Sequence, residues 1–335
     1  MEISDIQRYD SKKMYETYDY WPKLAREYYE KDFSKLEIDD IDHIVFAGMG
    51  GSGTIGDVFA SILSKTDLHV SVVKGYLLPK TVDDNTLIVS TSISGNRLET
   101  ISILKNVEKL NAKFVAIFSG GIMEKFCKDK KIKSYKIHEE HSPRASFLGF
   151  LYSTLNILEQ IIPVKKIDIN KSIQSLFNLQ RTISSENLNE ANEALQIAQW
   201  IKEIPMVYYP SGLQSTAIRF KNSMQENAKS HVMTEDVIEA CHNGIVAWDK
   251  PKNVQPILIQ GKDDYVKTIE RWKILTEFFK DKEIDYFEIE SINGNILSKI
   301  VNLIFIFDYC SIYHSILNDI DPSPVNAIDF IKSRL

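Results

Sequence analysis

The sequence predicts an α/β fold with two doubly wound parallel-sheet units, each arranged in three α/β/α layers. Short apolar runs typical of buried parallel strands alternate along the chain with segments of helical periodicity. Two segments rich in glycine and serine each follow a predicted strand and precede a predicted helix. With 335 residues, the chain is too long for one ordinary core and suits two α/β units.

The first unit is predicted from a regular alternation of strands and helices. It is preceded by residues 1–40, a helical arm with aromatic residues at helical spacing that we expect to pack on the body of the protein. Strands are predicted at 41–47, 69–73, 86–90, 113–118 and 134–137, and helices at 54–63, 97–110 and 143–162. Residues 41–162 are therefore assigned to a first domain.

The second unit repeats this order of elements. Residues 163–203 are helical in pattern, strands are predicted at 205–209, 257–260 and 284–288, and helices at 213–229, 264–280 and 296–317. The turn Ser211-Gly212 again lies between a strand and a helix, which indicates a duplicated architecture. Residues 163–335 are therefore assigned to a second domain.

Composition and charge exclude several classes of protein. The net charge is −6, so the chain lacks the basic excess that a nucleic-acid partner requires. The most apolar stretch, 300–313, is interrupted by Asn302 and Asp308, and we expect a buried helix too short to cross a membrane. Three unpatterned cysteines and an N-terminus without an apolar signal region predict a cytoplasmic protein.

The first glycine-rich segment, 48–53, has the composition of an anion-binding turn. Its glycines permit positive φ angles and close approach of backbone N–H groups to an anion at a helix N-terminus. The segment also fits the Gly-x-Gly-x-x-Gly pattern of dinucleotide-binding proteins, but the second strand ends without the carboxylate that would hold the ribose. A tight turn without a ligand is the other alternative. If an anion binds here, Gly51 and Ser52 are the residues expected to contact it.

The second segment, 90–100, places hydroxyl groups at the C-terminal end of a predicted strand, where open α/β sheets bind ligands. Ser92 and Ser94 are candidate phosphate donors. Arg97 is a further candidate because a guanidinium binds phosphate in a bidentate manner, although it is equally suited to an ion pair with Glu99. A serine cap of the following helix is the structural alternative and is compatible with phosphate binding.

The two turns together resemble the sugar isomerase (SIS) domain, and further motifs resemble the bifunctional phosphoglucose/phosphomannose isomerases, a family of SIS-domain sugar isomerases. The similar segments are His141-Ser142-Pro143-Arg144-Ala145, Gln225-Glu226-Asn227-Ala228-Lys229, Cys241-His242-Asn243, Ser323-Pro324-Val325 and the C-terminal residues 328–335. They occur in register from about residue 44 to the end of the chain. Their order and spacing make the resemblance specific.

The resemblance implies an aldose–ketose isomerase with four catalytic residues. Moving a proton between C1 and C2 of a sugar phosphate through a cis-enediolate requires a base, a cation for the oxyanion and a group that opens the ring. The family pattern gives these roles to Glu226 as base, Arg144 as cation, and His242 with Lys332 in ring opening. Each also has an ordinary interpretation, such as an ion pair between Glu226 and Lys229 or a solvated side chain for His242 and Lys332.

Four positions depart from the family pattern and concern the range of substrates more than the reaction. Arg97 lies where the family commonly has a threonine, and Cys241 where it often has an apolar residue or a second histidine. Gly244 replaces a glutamate or tryptophan, and Ser323 replaces a threonine.

The expected substrates are glucose 6-phosphate and fructose 6-phosphate, with mannose 6-phosphate as a further substrate. The resemblance also implies a homodimer in which His242 reaches the site of the neighbouring subunit, and neither a cofactor nor a metal is expected. Three alternatives stay open: another phosphosugar isomerase of the SIS type, an oxidoreductase, and a non-catalytic phosphosugar sensor. A sensor of that kind would require a DNA-binding unit, and residues 1–40 show neither a basic face nor a helix-turn-helix pattern.

Overall fold

The chain was analysed as a computed structural model that describes residues 1–107, 109–250 and 253–335. It divides into two units, one formed by Tyr20–Gln174 and one formed by Met1–Asp19 together with Ser175–Leu335. We call them the 20–174 unit and the 175–335 unit. The predicted arm, residues 1–40, is therefore shared between the two units.

The 20–174 unit contains a five-stranded parallel sheet. Its strands are β1 (His43–Ala47), β2 (His69–Val73), β3 (Thr86–Ser92), β4 (Lys113–Phe118) and β5 (Ser134–Lys136), in the spatial order β2-β1-β3-β4-β5. The register pairs Ala47 at the end of β1 with Val73 and Ser90 on the neighbouring strands. The C-terminal ends of β1 and β3 therefore lie side by side, which brings the turns that follow them to the same edge of the sheet.

Helices cover both faces of this sheet. After α1 (Ile3–Tyr9) and α2 (Met14–Asp19) of the other unit, the chain forms α3 (Trp21–Glu30), α4 (Gly51–Leu63), α5 (Leu98–Val107), α6 (Gly121–Asp129) and α7 (Phe147–Ile157). Val45 and Ala47 pack against Ile103 of α5, whereas Phe46 stacks on Phe59 of α4 with ring centroids 4.6 Å apart. Because neighbouring side chains of a strand point to opposite faces, α4 and α5 lie on opposite sides of the sheet.

The 175–335 unit repeats this arrangement with four parallel strands. It contains α8 (Lys166–Ile183), α9 (Glu193–Trp200), β6 (Ile204–Tyr209), α10 (Gln214–Ser223), β7 (Met233–Asp236), α11 (Val237–Ala240), β8 (Val254–Gln260), α12 (Val266–Asp281), β9 (Phe287–Glu290), α13 (Ile296–Leu317) and α14 (Asn326–Lys332), and α8 begins in the other unit. The strand order β7-β6-β8-β9 places the first strand of the sheet between the second and the third, as in the first sheet. The prediction of two parallel-sheet α/β units is confirmed.

The core of the 175–335 unit is built around β6, β8 and two long helices. Tyr208 and Leu258 pack against Trp272 and Phe279 of α12. The 22-residue helix α13 is long and apolar enough to cross a membrane, but 94% of its apolar window is buried inside the protein. The prediction of a buried helix is confirmed, whereas the expectation that it is too short to span a bilayer is wrong, because the helix extends beyond the interrupted run at both ends.

Several predicted elements have different limits in the structure. The helix predicted at 143–162 is observed only as α7, because the Pro-Arg segment before it adopts a bend and turn, and residues 158–162 form turns. The helix predicted at 213–229 ends its α-helical part at Ser223 and continues as a π-helical turn, Met224–Ala228. The last predicted strand, 284–288, is displaced to β9. In the helix predicted at 97–110, observed as α5, Glu108 lies outside the described residues.

Candidate active site

The first glycine-rich turn connects β1 to α4. Gly50, the N-cap residue, has a φ of +54° and, being glycine, has no side chain of its own to cap the helix. A Cβ atom on Gly48 would lie 2.9 Å from atoms of Ser52, so the turn closes tightly only with glycine there. Gly51 and Ser52 thus begin a 13-residue helix whose N-terminus carries partial positive charge toward the sheet edge.

The second turn follows β3 and is bonded to the first. The backbone N–H of Ile93 donates to Ser52 Oγ over 3.2 Å, which joins the two turns directly. Ser92 is only 1% exposed, and its Oγ is buried without a hydrogen-bond partner among the described residues. Such a hydroxyl is costly unless it binds a ligand or water. Ser94 and Arg97 are half-buried at the same edge.

A third turn, between β4 and α6, holds the second turn in place. Gly95 has a φ of +68°, and a Cβ atom there would lie 1.8 Å from the carbonyl oxygen of Gly120. Asn96 Oδ1 accepts a hydrogen bond from the N–H of Ile122 at 3.0 Å, and Met123 N–H donates to the Gly95 carbonyl at 2.9 Å. The Gly120-Gly121 pair was not singled out from the sequence, although its place directly after a predicted strand was a usable signal.

Arg144 lies in a loop of the 20–174 unit that is held by helix α3. Arg144 is only 6% exposed. Beside it, Trp21 Nε1 donates to the carbonyl of Ala145 at 2.7 Å, and Tyr28 OH donates to Glu140 at 3.0 Å. Burial and the neighbouring Glu140 raise the pKa of Tyr28, which keeps this donor protonated. The sequence predicted an aromatic arm but not that it would fix the Pro-Arg segment.

Glu226 lies in the π-helical turn Met224–Ala228 that extends α10. π-turns occur frequently at functional sites because they displace a side chain from the regular helical path. The Nδ2 atom of Asn227, the next residue, donates to Ser311 of α13 at 2.8 Å in a buried contact. Lys229 Nζ donates to the backbone carbonyl of Glu226 at 2.8 Å, so the neighbouring lysine binds the backbone of this turn.

Helix α13 also supports this turn through a buried ion pair. Arg219 of α10 donates from Nε and Nη2 to both carboxylate oxygens of Asp308, at 2.6 to 3.1 Å. Ser223 donates to the same carboxylate. Although burial alone would lower the pKa of Arg219, the charge of Asp308 more than offsets this and raises it. The sequence analysis did not identify this pair, because the two residues are 89 positions apart.

His242 and Lys332 are both exposed on the 175–335 unit and lie in different elements. His242 follows the short helix α11, and its backbone N–H donates to the Glu239 carbonyl at 2.9 Å. Lys332 is the last residue of α14, a helix without buried residues, and its Nζ is 3.5 Å from Asp329. The four predicted catalytic residues are thus distributed over both units, with Arg144 in the 20–174 unit.

His, Cys, Asp and Glu are side chains that commonly hold metal ions in proteins. Within residues 1–107, 109–250 and 253–335, no group of three or more such residues is placed to hold an ion. All three cysteines are unpaired, and burial raises the pKa of Cys127 to about 11 and that of Cys310 well above its usual range.

Comparisons with solved structures support the fold. A hypothetical protein, TT0462, from Thermus thermophilus matches with a TM-score of 0.75 and 13% identity over 98% of this chain and 92% of the other. The C-terminal domain of glucosamine-fructose-6-phosphate aminotransferase from Francisella tularensis matches with a TM-score of 0.67 and 16% identity over 91% and 96% of the two chains.

Comparisons of sequence identify the family. The SIS domain profile matches residues 37–160, and the profile of the bacterial phospho-glucose isomerase C-terminal SIS domain matches residues 190–335. A bifunctional phosphoglucose/phosphomannose isomerase from Caldicellulosiruptor bescii is 30% identical over 96% of this chain and 98% of its own length. One from Thermoplasma acidophilum is 29% identical over 88% and 89%, and a D-glucosamine-6-phosphate 4-epimerase from Sulfolobus acidocaldarius is 28% identical over 73% and 77%. The predicted resemblance is confirmed, and the chain belongs to the family of bifunctional phosphoglucose/phosphomannose isomerases.

Proposed function

We propose that this chain is an isomerase that interconverts glucose 6-phosphate and mannose 6-phosphate with fructose 6-phosphate. The observation that carries the proposal is the match, over nearly the full length of both chains, to relatives named for these two activities. The joined Gly/Ser turns supply a phosphate-binding edge, and the π-turn supplies a carboxylate in an irregular, supported backbone.

The phosphate group of the substrate is bound at the joined turns of the 20–174 unit. The N-terminus of α4 offers the positive end of its dipole, and Ser52, Ser92 and Ser94 offer hydroxyl donors. The buried, unpartnered Oγ of Ser92 gains a partner when a phosphate oxygen arrives. Arg97 adds a cation at the same edge, which a threonine would not.

The proton transfer is assigned to Glu226 and Arg144. Glu226 removes the proton from C2 of the open-chain aldose and returns it to C1, while Arg144 stabilises the negative charge of the enediolate oxygen. Because a carboxylate base works only when held in one geometry, the bonds from Asn227 and Lys229 to neighbouring groups suit this role.

The sugar ring is opened by His242 and Lys332. His242 can donate a proton to the ring oxygen as the bond between C1 and that oxygen breaks, and the C1 hydroxyl gives its proton to solvent water. The ammonium of Lys332 stabilises the negative charge that develops on oxygen in this step. Both side chains are accessible from solvent in the single chain, as a group that meets an incoming ring must be.

The substitution Glu226→Gln tests the assigned base. It keeps the size of the side chain but removes the proton acceptor, so kcat for glucose 6-phosphate is expected to fall by at least about 10³-fold while KM changes little. The coupled assay for glucose 6-phosphate is complemented by NMR detection of solvent deuterium at C1 of fructose 6-phosphate and C2 of glucose 6-phosphate. Turnover near the wild-type rate would refute the role of Glu226, and binding of fructose 6-phosphate by the unmodified chain without deuterium exchange would favour a sensor.

We further propose a cytoplasmic homodimer in which His242 serves the site of the partner subunit. The surroundings of His242 and the tail expose apolar side chains unusual for free surface, with Val246 65%, Phe330 56% and Ile331 57% exposed. The unpaired cysteines suit a reducing compartment.

A mixing experiment tests the shared histidine. Homodimers of Glu226→Gln and of His242→Ala are each expected to be inactive. When equal amounts are unfolded together and refolded, half of the dimers are mixed and each mixed dimer holds one site with both native residues. We therefore expect about a quarter of the wild-type activity, because only that one of its two sites is complete. A mixture as inactive as its components, with mixed dimers verified by mass spectrometry, would contradict the sharing.

A second candidate function is 4-epimerisation of an amino sugar phosphate. It is favoured by the relative from Sulfolobus acidocaldarius, which is named for that activity on D-glucosamine 6-phosphate. Incubation with glucosamine 6-phosphate and separation of the products by NMR distinguishes the two. We expect no galactosamine 6-phosphate under conditions that convert glucose 6-phosphate fully.

A further inference from the structure

Lys229 directly follows the π-turn and has a backbone conformation that lysine rarely adopts. Its φ is +55°, in the left-handed region, where helix-ending residues are commonly glycine. Replacing the preferred glycine costs conformational energy, so the lysine side chain is expected to contribute contacts that glycine lacks.

The Lys229 ammonium lies within hydrogen-bonding distance of four backbone carbonyl oxygens from two separate segments, which share its three N–H groups. Two belong to the π-turn, those of Glu226 at 2.8 Å and Asn227 at 3.1 Å. The other two are those of Asp321 at 3.1 Å and Pro322 at 3.2 Å, in the segment between α13 and α14. Carbonyls at the end of a helix lack partners within the helix and attract a cation.

The segment that Lys229 binds leads directly to the C-terminal tail. Asp321 also accepts hydrogen bonds from the backbone N–H of Ser323 at 2.8 Å and from the hydroxyl of Ser11 at 2.6 Å. Beyond it, α14 has no buried residue that would hold it to the unit by itself. The 321–322 segment is therefore an attachment point of the tail next to the π-turn, and Lys229 bonds it to that turn.

We propose that Lys229 is a positioning residue that couples the orientation of Glu226 to the position of the tail carrying Lys332. The inference rests on the proposed function, in which Glu226 transfers the proton and Lys332 assists ring opening. The Lys229 ammonium binds both segments at once, so its loss loosens both, and ring opening and proton transfer are impaired together. In this role Lys229 acts through Glu226 and the tail and not on the substrate itself.

The first experiment replaces the ammonium and then restores it. Lys229→Met is expected to lower kcat for glucose 6-phosphate about 100-fold with little change in KM, because a displacement of about 1 Å at a base has an effect of that size. Lys221→Met, which removes a lysine in the last turn of the same helix, is the matched control and keeps the wild-type rate. Lys229→Cys treated with 2-bromoethylamine regains most of the activity, because the alkylated side chain again ends in an ammonium. Wild type treated in the same way controls for alkylation of Cys241. A Lys229→Met variant within threefold of the wild-type kcat, or no recovery after alkylation, would overturn the proposal.

The second experiment measures the coupling. Lys332→Ala lowers kcat in the wild-type background, but in the Lys229→Met background it is expected to cost less than a further twofold, because the tail is already released. Fully multiplicative effects would show that the two lysines act independently and would refute the coupling.

The third measurement separates this inference from the proposed function. Hydrogen exchange of peptides covering residues 318–335 is expected to accelerate several-fold in Lys229→Met and not in Lys221→Met, whether or not the chain isomerises a sugar. If Glu226→Gln stays active while the tail of Lys229→Met exchanges faster than that of the wild type, the proposed base is wrong and the attachment is right. If Glu226→Gln is inactive and the tail of Lys229→Met exchanges as in the wild type, the attachment is wrong and the assignment of Glu226 as the base is retained.

Discussion

The hydroxyl group of Ser92 is buried at the end of a central strand and has no hydrogen-bond partner among the described residues. A buried hydroxyl without a partner costs roughly 1–3 kcal/mol in the free protein. A ligand that supplies the missing bond at Ser92 would recover this free energy. The neighbouring contact from Ile93 to Ser52 shows that the surrounding backbone is already fixed before any ligand arrives.

Substitution of Ser92 with alanine therefore separates binding from folding. We expect KM for glucose 6-phosphate to rise about tenfold, the equivalent of about 1.4 kcal/mol for one hydrogen bond to a charged group, with kcat nearly unchanged. The midpoint of urea unfolding should stay the same or rise slightly. Ser90→Ala is the matched control, because its hydroxyl is equally buried and unpartnered but lies two residues back inside the sheet. An equal rise of KM in both variants would argue against a specific phosphate contact.

At the scale of elements, α13 holds α10 and the π-turn through the polar contacts of Asp308 and Ser311, beside a stacked aromatic pair. Phe220 of α10 stacks on Phe307 of α13 with ring centroids 4.3 Å apart. Asp308, the residue after Phe307, accepts hydrogen bonds from Arg219. Ser311, one turn further along α13, accepts a hydrogen bond from Nδ2 of Asn227. The same helix face thus fixes both the regular part of α10 and its irregular end.

Asp308→Asn is expected to lower the free energy of unfolding of the 175–335 unit by about 3 kcal/mol, because it leaves the Arg219 guanidinium buried without a counter-charge. Urea unfolding followed by circular dichroism measures the change. Glu290→Gln, which breaks the exposed pair with Lys262, serves as the control with an expected loss of about 0.5 kcal/mol or less. The double variant Arg219→Met with Asp308→Leu should recover most of the stability. Failure of Asp308→Asn to destabilise more than Glu290→Gln would mean that the pair does not hold the two helices.

Long periodic elements were predictable from the sequence, whereas irregular and polar ones were not. The apolar strands β1 and β4 and the helix α13 were predicted within two residues, because hydrophobic pattern determines them. Strand β7 was missed because its Thr234, Glu235 and Asp236 are polar and it lies at the edge of its sheet. The π-turn at Glu226 leaves no periodic signal, since one extra residue per turn is set by contacts with α13.

For the candidate site, the sequence predicted residue types and their order, but not the contacts that orient them. The motifs identified Ser92, Arg144 and Glu226 as candidates. The contact of Trp21 with Ala145 and the contact of Lys229 with Asp321 join residues that are 124 and 92 positions apart, and a single sequence contains no local signal for them.

At the scale of the whole molecule, each unit contains one buried histidine whose pKa is lowered. Burial lowers the pKa of His43, and the nearby His69 lowers it further. Burial likewise lowers the pKa of His314, whose Nδ1–H donates to the Ala198 carbonyl at 3.1 Å. Both side chains are therefore neutral in the folded chain at neutral pH.

The stability of the chain is accordingly expected to fall as the pH decreases below about 6.5, the ordinary histidine pKa, because the unfolded chain then binds protons that the folded chain does not. Above that pH the two neutral histidines contribute their full amount to the free energy of unfolding, and this contribution no longer changes with pH. Urea midpoints measured at pH 7.5 and pH 5.5 should differ by less in the variant His43→Gln with His314→Gln than in wild type, and comparing the two cancels the carboxylates. An equal decrease in both proteins would exclude these histidines as the cause.

The divided 175–335 unit has a consequence for the order in which the protein matures during translation. Residues 1–19 leave the ribosome first, yet Asp19 accepts hydrogen bonds from Ser185 and Tyr309, which are synthesised much later. The 20–174 unit is complete once residue 174 has emerged and can fold while synthesis continues. The nascent chain therefore acquires its Gly/Ser turns well before the turn that carries Glu226. Its first two helices, α1 and α2, can pack in their final positions only after α13 has been synthesised.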